Sequence, residues 1–327
     1  MNQVTPINTN PVDIQAPDIT RWQAGNTGVD FVWQFDSGKP GPNVMVQSLT
    51  HGNEICGAIV MEWFLSQGFK PQKGVLTMTF GNLAAFARWD PANPGISRYT
   101  DEDFNRVWSD EYLKSNKNSA ELERARLLLP FVDSADYLLD IHSMHEPCAP
   151  LMVCGVTGEG ADKAVELSKR LGIPECLMYD TGHPSGKRMI ERPHFADPNN
   201  PKTAILIECG QHWEKSSVDV ARQTMLRFLI DREVISHEAV ASHLNASLQA
   251  KSHKVVKVTE AVVAKSSEFS FVQPFKGLEV IPKKGDPIAK NGDETVVAPY
   301  DNTVLVMPSV SKQWKIGTTM VRLGQLM

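Results

Sequence analysis

Long apolar runs and a surplus of basic residues are missing from this chain of 327 residues, and we expect no secretory leader. No apolar run approaches the roughly 20 residues that a membrane-spanning helix needs. The stretch 1–18 is polar and contains proline, without the apolar segment that is typical of a secretory signal. The formal net charge is -5 and there is no basic stripe. We therefore expect neither a membrane nor nucleic acid among the partners.

Paired cysteines are also missing. The five cysteines are scattered, odd in number and without a CxxC pair: Cys56, Cys148, Cys154, Cys176 and Cys209. This pattern predicts mostly buried thiols in a reducing compartment, and the cytoplasm is the default localisation. Internal repeats and low-complexity tracts are absent as well. The sequence leaves the oligomeric state open, a homo-oligomer included.

What is present is the composition of a globular protein, 42% hydrophobic and 22% charged. From residue 44 to about 249, apolar strand-like runs alternate with helical patterns. The predicted strands are 44–49, 75–80, 137–141, 151–154 and 203–208, and the predicted helices are 54–67, 120–131, 163–171 and 218–243. The alternation predicts an α/β domain over residues 1–250, with a mainly parallel or mixed sheet flanked by helices. In such sheets, functional sites gather at the carboxyl ends of the strands.

After residue 251 the pattern changes to short strand-like runs separated by Gly, Pro, Asp and Asn. This predicts a small all-β domain over residues 251–327. Its layout resembles the barrel-sandwich domains that carry lipoyl or biotinyl groups on a lysine in an exposed hairpin turn. The corresponding turn here is Tyr300-Asp301-Asn302, which has no lysine. We therefore do not expect a carrier role.

The segment His51-Gly-Asn-Glu54 is the most informative stretch for chemistry. It lies between the strand-like run 44–49 and the helical run that follows, so His51 is predicted at the end of a strand and Glu54 at the start of a helix. At this spacing both side chains can reach one point, and two His with one Glu is a common catalytic zinc set. The alternative is a His51 that caps the helix or lies on the surface.

Two further strands are predicted to end in polar residues. Leu138-Leu139-Asp140-Ile141-His142 places Asp140 and His142 on one face of a strand, so His142 could be a third ligand that Asp140 orients. His145 is a competing ligand, and a His142 exposed to solvent is the other alternative. Glu208 follows four apolar residues, and a buried carboxylate beside a metal suits a general base. Its alternative is an ion pair with an arginine of a neighbouring loop.

The loop-like segment 98–106 carries two arginines and an asparagine, Arg98, Asn105 and Arg106. Arginine binds carboxylates in a bidentate manner and stabilises developing oxyanions. The alternative is a solvated loop whose arginines pair with the acidic residues 101–103.

Taken in order, the motifs HGNE, SRYTDEDFNRVW, LDIH and ILIECG resemble those of the succinylglutamate desuccinylase/aspartoacylase family of the zinc carboxypeptidase clan. The resemblance runs from about residue 43 to 210, and the β-rich tail also fits. It implies a zinc-carboxypeptidase-like fold that binds one Zn2+ per chain, with His51, Glu54 and His142 as ligands.

The same resemblance implies roles for the remaining residues. Glu208 would be the catalytic base and acid, Arg98 would polarise the scissile carbonyl, and Asn105 and Arg106 would hold the substrate's carboxylate. The implied activity is hydrolysis of the amide bond of a small N-acyl amino acid.

The sequence leaves the substrate and two other function classes open. The basic, Gly/Pro-rich stretch 182–194 is either a specificity loop for an acidic group or a solvated surface loop. A metallocarboxypeptidase that cleaves peptides would use the same residues but needs an open cleft. A non-catalytic binding protein on the same fold is the third class, and the complete set of catalytic residues argues against it.

Overall fold

The fold is built around one long mixed β-sheet. The computed structural model describes residues 10–309 and 314–327. The strands, numbered β1 to β14 in chain order, are Val32–Asp36, Asn43–Ser48, Val75–Phe80, Tyr137–Met144, Leu151–Val156, Cys176–Asp180, Thr203–Gln211, Lys254–Val263, Phe269–Phe271, Val280–Ile281, Pro287–Asn291, Glu294–Val297, Thr303–Val306 and Thr319–Leu326.

The helices are more varied in length. The α-helices, numbered α1 to α8, are Ile55–Gln67, Leu83–Phe86, Asp110–Leu113, Ala120–Ser134, Ala161–Leu171, Pro193–Ala196, Lys215–Asp231 and His237–Val240. The 3-10 helices are Thr20–Trp22, Pro94–Ser97, Phe104–Arg106, Met189–Glu191, Ala241–His243 and Ala246–Leu248.

The sheet order brings three functional strands together. Eleven strands pair in the order β1-β3-β2-β4-β7-β5-β6-β8-β14-β13-β10. Within it β3, β2, β4 and β7 are parallel neighbours. β5 then pairs with β7 in the antiparallel sense. Because β2, β4 and β7 run the same way side by side, their carboxyl ends meet at one edge, where the sequence predicts the site.

Helices cover both faces of the central strands, which explains why those strands are rich in apolar residues. One core contains Phe64 of α1, Val165 of α5 and Leu229 of α7. The core on the opposite face contains Leu128 of α4. Within β2, Val46 belongs to the first core and Met45 to the second, as alternating side chains require. The predicted α/β class with a mixed sheet is confirmed.

Most predicted elements are found, and one long helix is wrong. The five predicted strands of the α/β part correspond to β2, β3, β4, β5 and β7. The predicted helix 218–243 instead ends at Asp231, because the chain turns at Glu233, whose φ is 56°. Strands β4 and β7 also continue past His142 and Glu208, to Met144 and Gln211.

The carboxyl-terminal strands are the β-rich part that the sequence predicts. In the described part of 254–327 every regular element is a strand. β8 pairs with β6 and so continues the long sheet, while β9, β11 and β12 form a separate sheet of three strands. A third core lies here and includes Ile288 and Leu305. The division into two domains at residue 250 stays a prediction.

Two expectations from composition can be compared with the structure. All five cysteines lie in the described ranges, none is in a disulfide, and four are buried. This agrees with the prediction of mostly buried thiols. Over residues 10–309 and 314–327, no helix is both long enough and apolar enough to cross a bilayer.

Candidate active site

The predicted metal ligands and Glu208 lie on, or shortly after, three neighbouring parallel strands. His51 follows β2 and Glu54 precedes the first residue of α1. His142 lies on β4 directly opposite Glu208 on β7. Residues far apart in the chain therefore meet at one edge of the sheet.

Gly52 permits this approach, because a side chain has no room there. A Cβ on Gly52 would lie 2.4 Å from the backbone nitrogen of Phe86 and 2.5 Å from the carbonyl oxygen of Ser97. The Gly52 amide also donates to the Arg98 carbonyl at 3.2 Å. The glycine of the HGNE motif thus allows the chain that carries Arg98 to lie directly beside His51.

Two imidazoles converge on a single carboxylate. His51 Nδ1 is 2.7 Å from Glu54 Oε1, and His142 Nδ1 is 2.9 Å from Glu54 Oε2. All three side chains are buried, and one ligand atom from each lies within 4.8 Å of the others. Two nitrogens and a carboxylate at this spacing fit a divalent metal such as zinc. No other group of three such residues is found in residues 10–309 and 314–327.

A second carboxylate contacts the far nitrogen of each ring. Asp103 Oδ1 is 3.0 Å from His51 Nε2, and Asp140 Oδ2 is 2.9 Å from His142 Nε2. The His142 contact has the distance of an ion pair without the angles of a hydrogen bond. Carboxylates in this position fix the ring and keep the near nitrogen free for a metal. The donor set therefore fits the zinc that the sequence predicts.

The charges in the site reinforce one another. Burial alone would raise the pKa of Glu54, but the adjacent imidazoles of His51 and His142 hold this pKa well below its usual value. Burial would likewise lower the pKa of His142, whereas Asp140 and Glu54 raise it well above the usual value. The carboxylate of Glu54 and the imidazole of His142 thus each favour the charged form of the other.

Glu208 is a half-buried residue whose carboxylate has one buried, unused oxygen. Its Oε2 atom has no hydrogen-bond partner among the described residues. Burial and the nearby negative charge of Glu54 raise the pKa of Glu208 to about 8. The alternative prediction is an ion pair with an arginine of a neighbouring loop. No arginine lies within 4.0 Å of the Glu208 carboxylate in the described residues. Arg98 is nevertheless close enough to lower this pKa. A group of this kind can accept or donate a proton.

Arg98 reaches the cluster of His51, Glu54 and His142 from the loop. Its Nη1 lies 3.5 Å from Glu54 Oε1, and its Nη2 donates to Asp103 Oδ2 at 3.3 Å. Burial alone would lower the pKa of Arg98, but Asp103 and Glu54 raise it. The side chain remains 37% exposed. The alternative of pairing with residues 101–103 is correct for Asp103, yet this pairing holds Arg98 in the site.

Asn105 and Arg106 follow in a short 3-10 helix. The Asn105 side chain is 4% exposed and accepts from the Met189 amide at 3.4 Å. Arg106 donates to the Asn105 carbonyl at 2.7 Å, and its side chain is 20% exposed. The structure thus places Arg106 at the edge of the cluster, 4.0 Å from Asp103.

Sequence reasoning missed two residues that support Glu54. The Ser143 amide donates to Glu54 Oε2 at 3.1 Å, and Ser143 Oγ lies 2.8 Å from His212 Nδ1. Burial lowers the pKa of His212 to about 3, so this ring is neutral. No local pattern distinguishes these residues in the chain. The competing ligand His145 lies outside the cluster, with its ring against Trp213.

The stretch 182–194 is a surface loop only in its first half, where residues 182–187 are exposed or half-buried. Arg188 and Arg192 are both buried. Arg188 donates to Asp180 Oδ2 at 2.6 Å and to Glu191 Oε1 at 2.9 Å. These arginines stabilise the fold, and a role of the stretch in specificity stays a prediction.

Comparisons with known proteins identify a family. The model of the succinylglutamate desuccinylase/aspartoacylase catalytic domain matches residues 40–231. A probable aspartoacylase from Parasynechococcus marenigrum (strain WH8102) is 32% identical over 138 residues, which are 40% of this chain and 44% of that protein. The match therefore spans less than half of that relative's length.

Solved structures share the fold over nearly the whole chain. The product-bound ectoine utilization protein EutE from Ruegeria pomeroyi is 15% identical with a TM-score of 0.63, covering 98% of this chain and 99% of that chain. A succinylglutamate desuccinylase from Silicibacter sp. TM1040 is 14% identical with a TM-score of 0.63, and the match covers 100% of both chains. Because the family model spans more than half of the sequence, this chain belongs to the succinylglutamate desuccinylase/aspartoacylase family.

Proposed function

We propose that this protein is a zinc-dependent hydrolase that cleaves the amide bond of a small N-acyl amino acid. The observation that carries the proposal is the convergence of His51 and His142 on the two oxygens of Glu54, beside Glu208. The buried Oε2 oxygen of Glu208 has no partner in the part of the chain that the structure describes. When bound by these three ligands, zinc supplies a Lewis acid that makes hydroxide available near neutral pH.

The chain's own residues supply the proton transfer. Glu208 accepts a proton from the attacking water and later donates it to the amine that leaves. Water adds to the acyl carbon and the carbon–nitrogen bond breaks, so the products are a carboxylate and a free amino acid. Glu208 suits both steps because its position opposite His142 is fixed by the pairing of β4 with β7.

The arginines supply electrostatic stabilisation and binding. Arg98, which lies against Glu54 and Asp103, would donate to the oxygen that becomes negative during attack. Asn105 and Arg106 would hold the α-carboxylate of the amino acid, since a guanidinium fork matches a carboxylate. The names of the relatives, aspartoacylase and succinylglutamate desuccinylase, support an acyl amino acid as substrate.

Release of free amine from a panel of N-acyl amino acids and short peptides tests this function. We expect release from N-acyl amino acids that a chelator abolishes and that added zinc restores. The matched control is the Glu208→Gln protein loaded with zinc, which should bind metal without turnover. Release of amine from the peptides but from none of the N-acyl amino acids would indicate a metallocarboxypeptidase. A metal-loaded protein that releases no amine from any member of the panel would indicate a binding protein.

A further inference from the structure

The loop that carries Arg98 and Arg106 is attached to a helix outside the site. We call residues 98–106 the arginine loop. Glu121, in the first turn of α4, is fully buried. Its carboxylate accepts from three consecutive loop amides, Thr100 at 2.6 Å, Asp101 at 3.0 Å and Glu102 at 3.3 Å. A buried carboxylate that accepts several backbone amides fixes the backbone around it.

The attachment is reciprocal. The loop's Asp101 accepts from the Ala120 amide at 2.8 Å, an amide at the amino-terminal end of α4 that has no partner within the helix. Asn82 completes the set by donating to Glu121 Oε1 at 2.9 Å. All four hydrogen bonds to the Glu121 side chain therefore come from N–H donors.

These bonds act on the part of the loop next to the site. Asp103 follows the three anchored amides directly in the chain. It contacts His51 Nε2, accepts from Arg98 Nη2 and accepts from the Asn105 amide at 2.8 Å. A shift of the anchored backbone would therefore move Asp103, which is the hydrogen-bond partner of both Arg98 and Asn105.

We propose that Glu121 is a positioning residue for the reaction: it holds the arginine loop so that Asn105 and Arg106 present a fixed site for the substrate's carboxylate. The inference rests on the proposed function. Glu121 itself contacts neither substrate nor metal, and the three metal ligands lie outside the loop. Its loss should therefore impair recognition of the carboxylate while metal binding is retained.

Glu121→Gln is the sharpest variant, because glutamine keeps the shape but must turn an NH2 group toward two N–H donors. Leu128→Ala is the control, since Leu128 is buried about two turns further along the same helix and the variant weakens α4 while all the hydrogen bonds to the Glu121 carboxylate are kept. Glu121→Asp retains the charge and should behave between wild type and Glu121→Gln.

Two measurements on the zinc-loaded proteins decide the proposal. The first is hydrogen–deuterium exchange of the arginine loop, which should accelerate in Glu121→Gln and remain unchanged in Leu128→Ala. The second is the ratio of turnover of the best N-acyl amino acid to that of its α-carboxamide. Small displacements of positioning groups lower the rate of reaction strongly, so this ratio should fall about 10- to 100-fold in Glu121→Gln. Zinc content, measured by elemental analysis, should remain that of wild type.

Three outcomes would overturn the positioning role: loop exchange in Glu121→Gln equal to wild type, a ratio equal to wild type, or an equal fall of the ratio in Leu128→Ala. If wild type hydrolyses no N-acyl amino acid, or treats acid and amide alike, the proposed function fails. The exchange measurement, which needs no substrate, then decides by itself whether Glu121 holds the loop.

Discussion

Two buried charged clusters in this protein consist of three residues each and differ in composition. In the Glu54 cluster, the carboxylate of Glu54 lies between the imidazoles of His51 and His142. In the Arg188 cluster, a guanidinium lies between the carboxylates of Asp180 and Glu191. Both clusters are almost inaccessible to solvent.

The difference lies in what each cluster leaves unused. The Arg188 guanidinium uses Nε, Nη1 and Nη2 on its two carboxylates. Its charge is permanent, and arginine does not bind metals. The Glu54 cluster is built from imidazoles, which can release a proton and bind a metal. Glu208 beside it has a buried oxygen without a partner in the described ranges. Burial of charge alone thus does not indicate a functional site, and the proposal rests on the titratable groups of the Glu54 cluster and on the unused oxygen of Glu208.

The largest effect should come from removing a residue of the Glu54 cluster. His142→Ala should lose its metal, and turnover should fall at least about 10³-fold because a Lewis acid supplies several kcal/mol. Elemental analysis measures the metal content, and the amine-release assay measures turnover. His145→Ala is the control and should retain about one zinc per chain. Full metal in His142→Ala together with loss in His145→Ala would show that the ligand assignment is wrong.

The second-largest loss of turnover should come from replacing Glu208. Glu208→Gln is nearly isosteric but cannot accept the water's proton, so turnover should fall about 10²- to 10⁴-fold. Metal content and the thermal unfolding midpoint should be close to those of wild type. Near-normal turnover in the zinc-loaded variant would contradict the role of Glu208 as general base.

A smaller effect is expected at the edge of the site. Arg106→Lys replaces a planar fork by a point charge, and turnover of N-acyl amino acids should fall roughly 10- to 100-fold, as for the loss of a charged hydrogen bond. When the substrate's carboxylate is converted to an amide, turnover by wild type should fall by a similar factor. Turnover by the variant should fall little further. Equal hydrolysis of acid and amide by wild type would exclude carboxylate recognition.

A substitution in the Arg188 cluster should have the smallest effect on turnover and should act on stability instead. Burial would raise the pKa of Asp180, but Arg188 and Arg322 lower it below the ordinary value. A lowered pKa in the folded state stabilises the protein above the unfolded pKa of about 3.9, and this stabilisation is lost as pH falls through the folded pKa. At pH 7, Asp180→Asn should therefore lower the free energy of unfolding by about 1–3 kcal/mol.

Urea unfolding of both metal-free proteins between pH 7 and pH 3 measures this difference. We expect it to shrink as the pH falls, and zinc content at pH 7 should be the same in both proteins. A difference that stays constant with pH would show that the charge of Asp180 does not stabilise the fold. Loss of zinc in Asp180→Asn would show that the two clusters are coupled.

Much of the central sheet was predictable because strands buried on both faces are continuously apolar. The bounds of β3 agree fully, and those of β2 are shifted by one residue. The short strand β6 was missed because its five residues follow Pro174 and contain a polar end. The end of α7 was missed because Glu233 adopts a left-handed conformation that no glycine signals.

In the site, the sequence by itself determined the chemistry of the donors: imidazole and carboxylate at a three-residue spacing, and polar residues near the ends of apolar strands. Local periodicity and residue type suffice for such statements, because they concern neighbours in the chain. The family resemblance then assigned the roles that remain proposals.

Only the tertiary structure decided which groups meet. The adjacency of β2, β4 and β7 is a property of sheet order, which strand patterns do not encode, and it places Glu208 opposite His142. The acidic run 101–103 resembles a solvated surface, yet folding directs Asp103 to His51 and attaches its neighbours to Glu121. The physical reason is that hydrogen bonds between distant segments depend on distance in space, which the chain acquires only when its apolar cores pack.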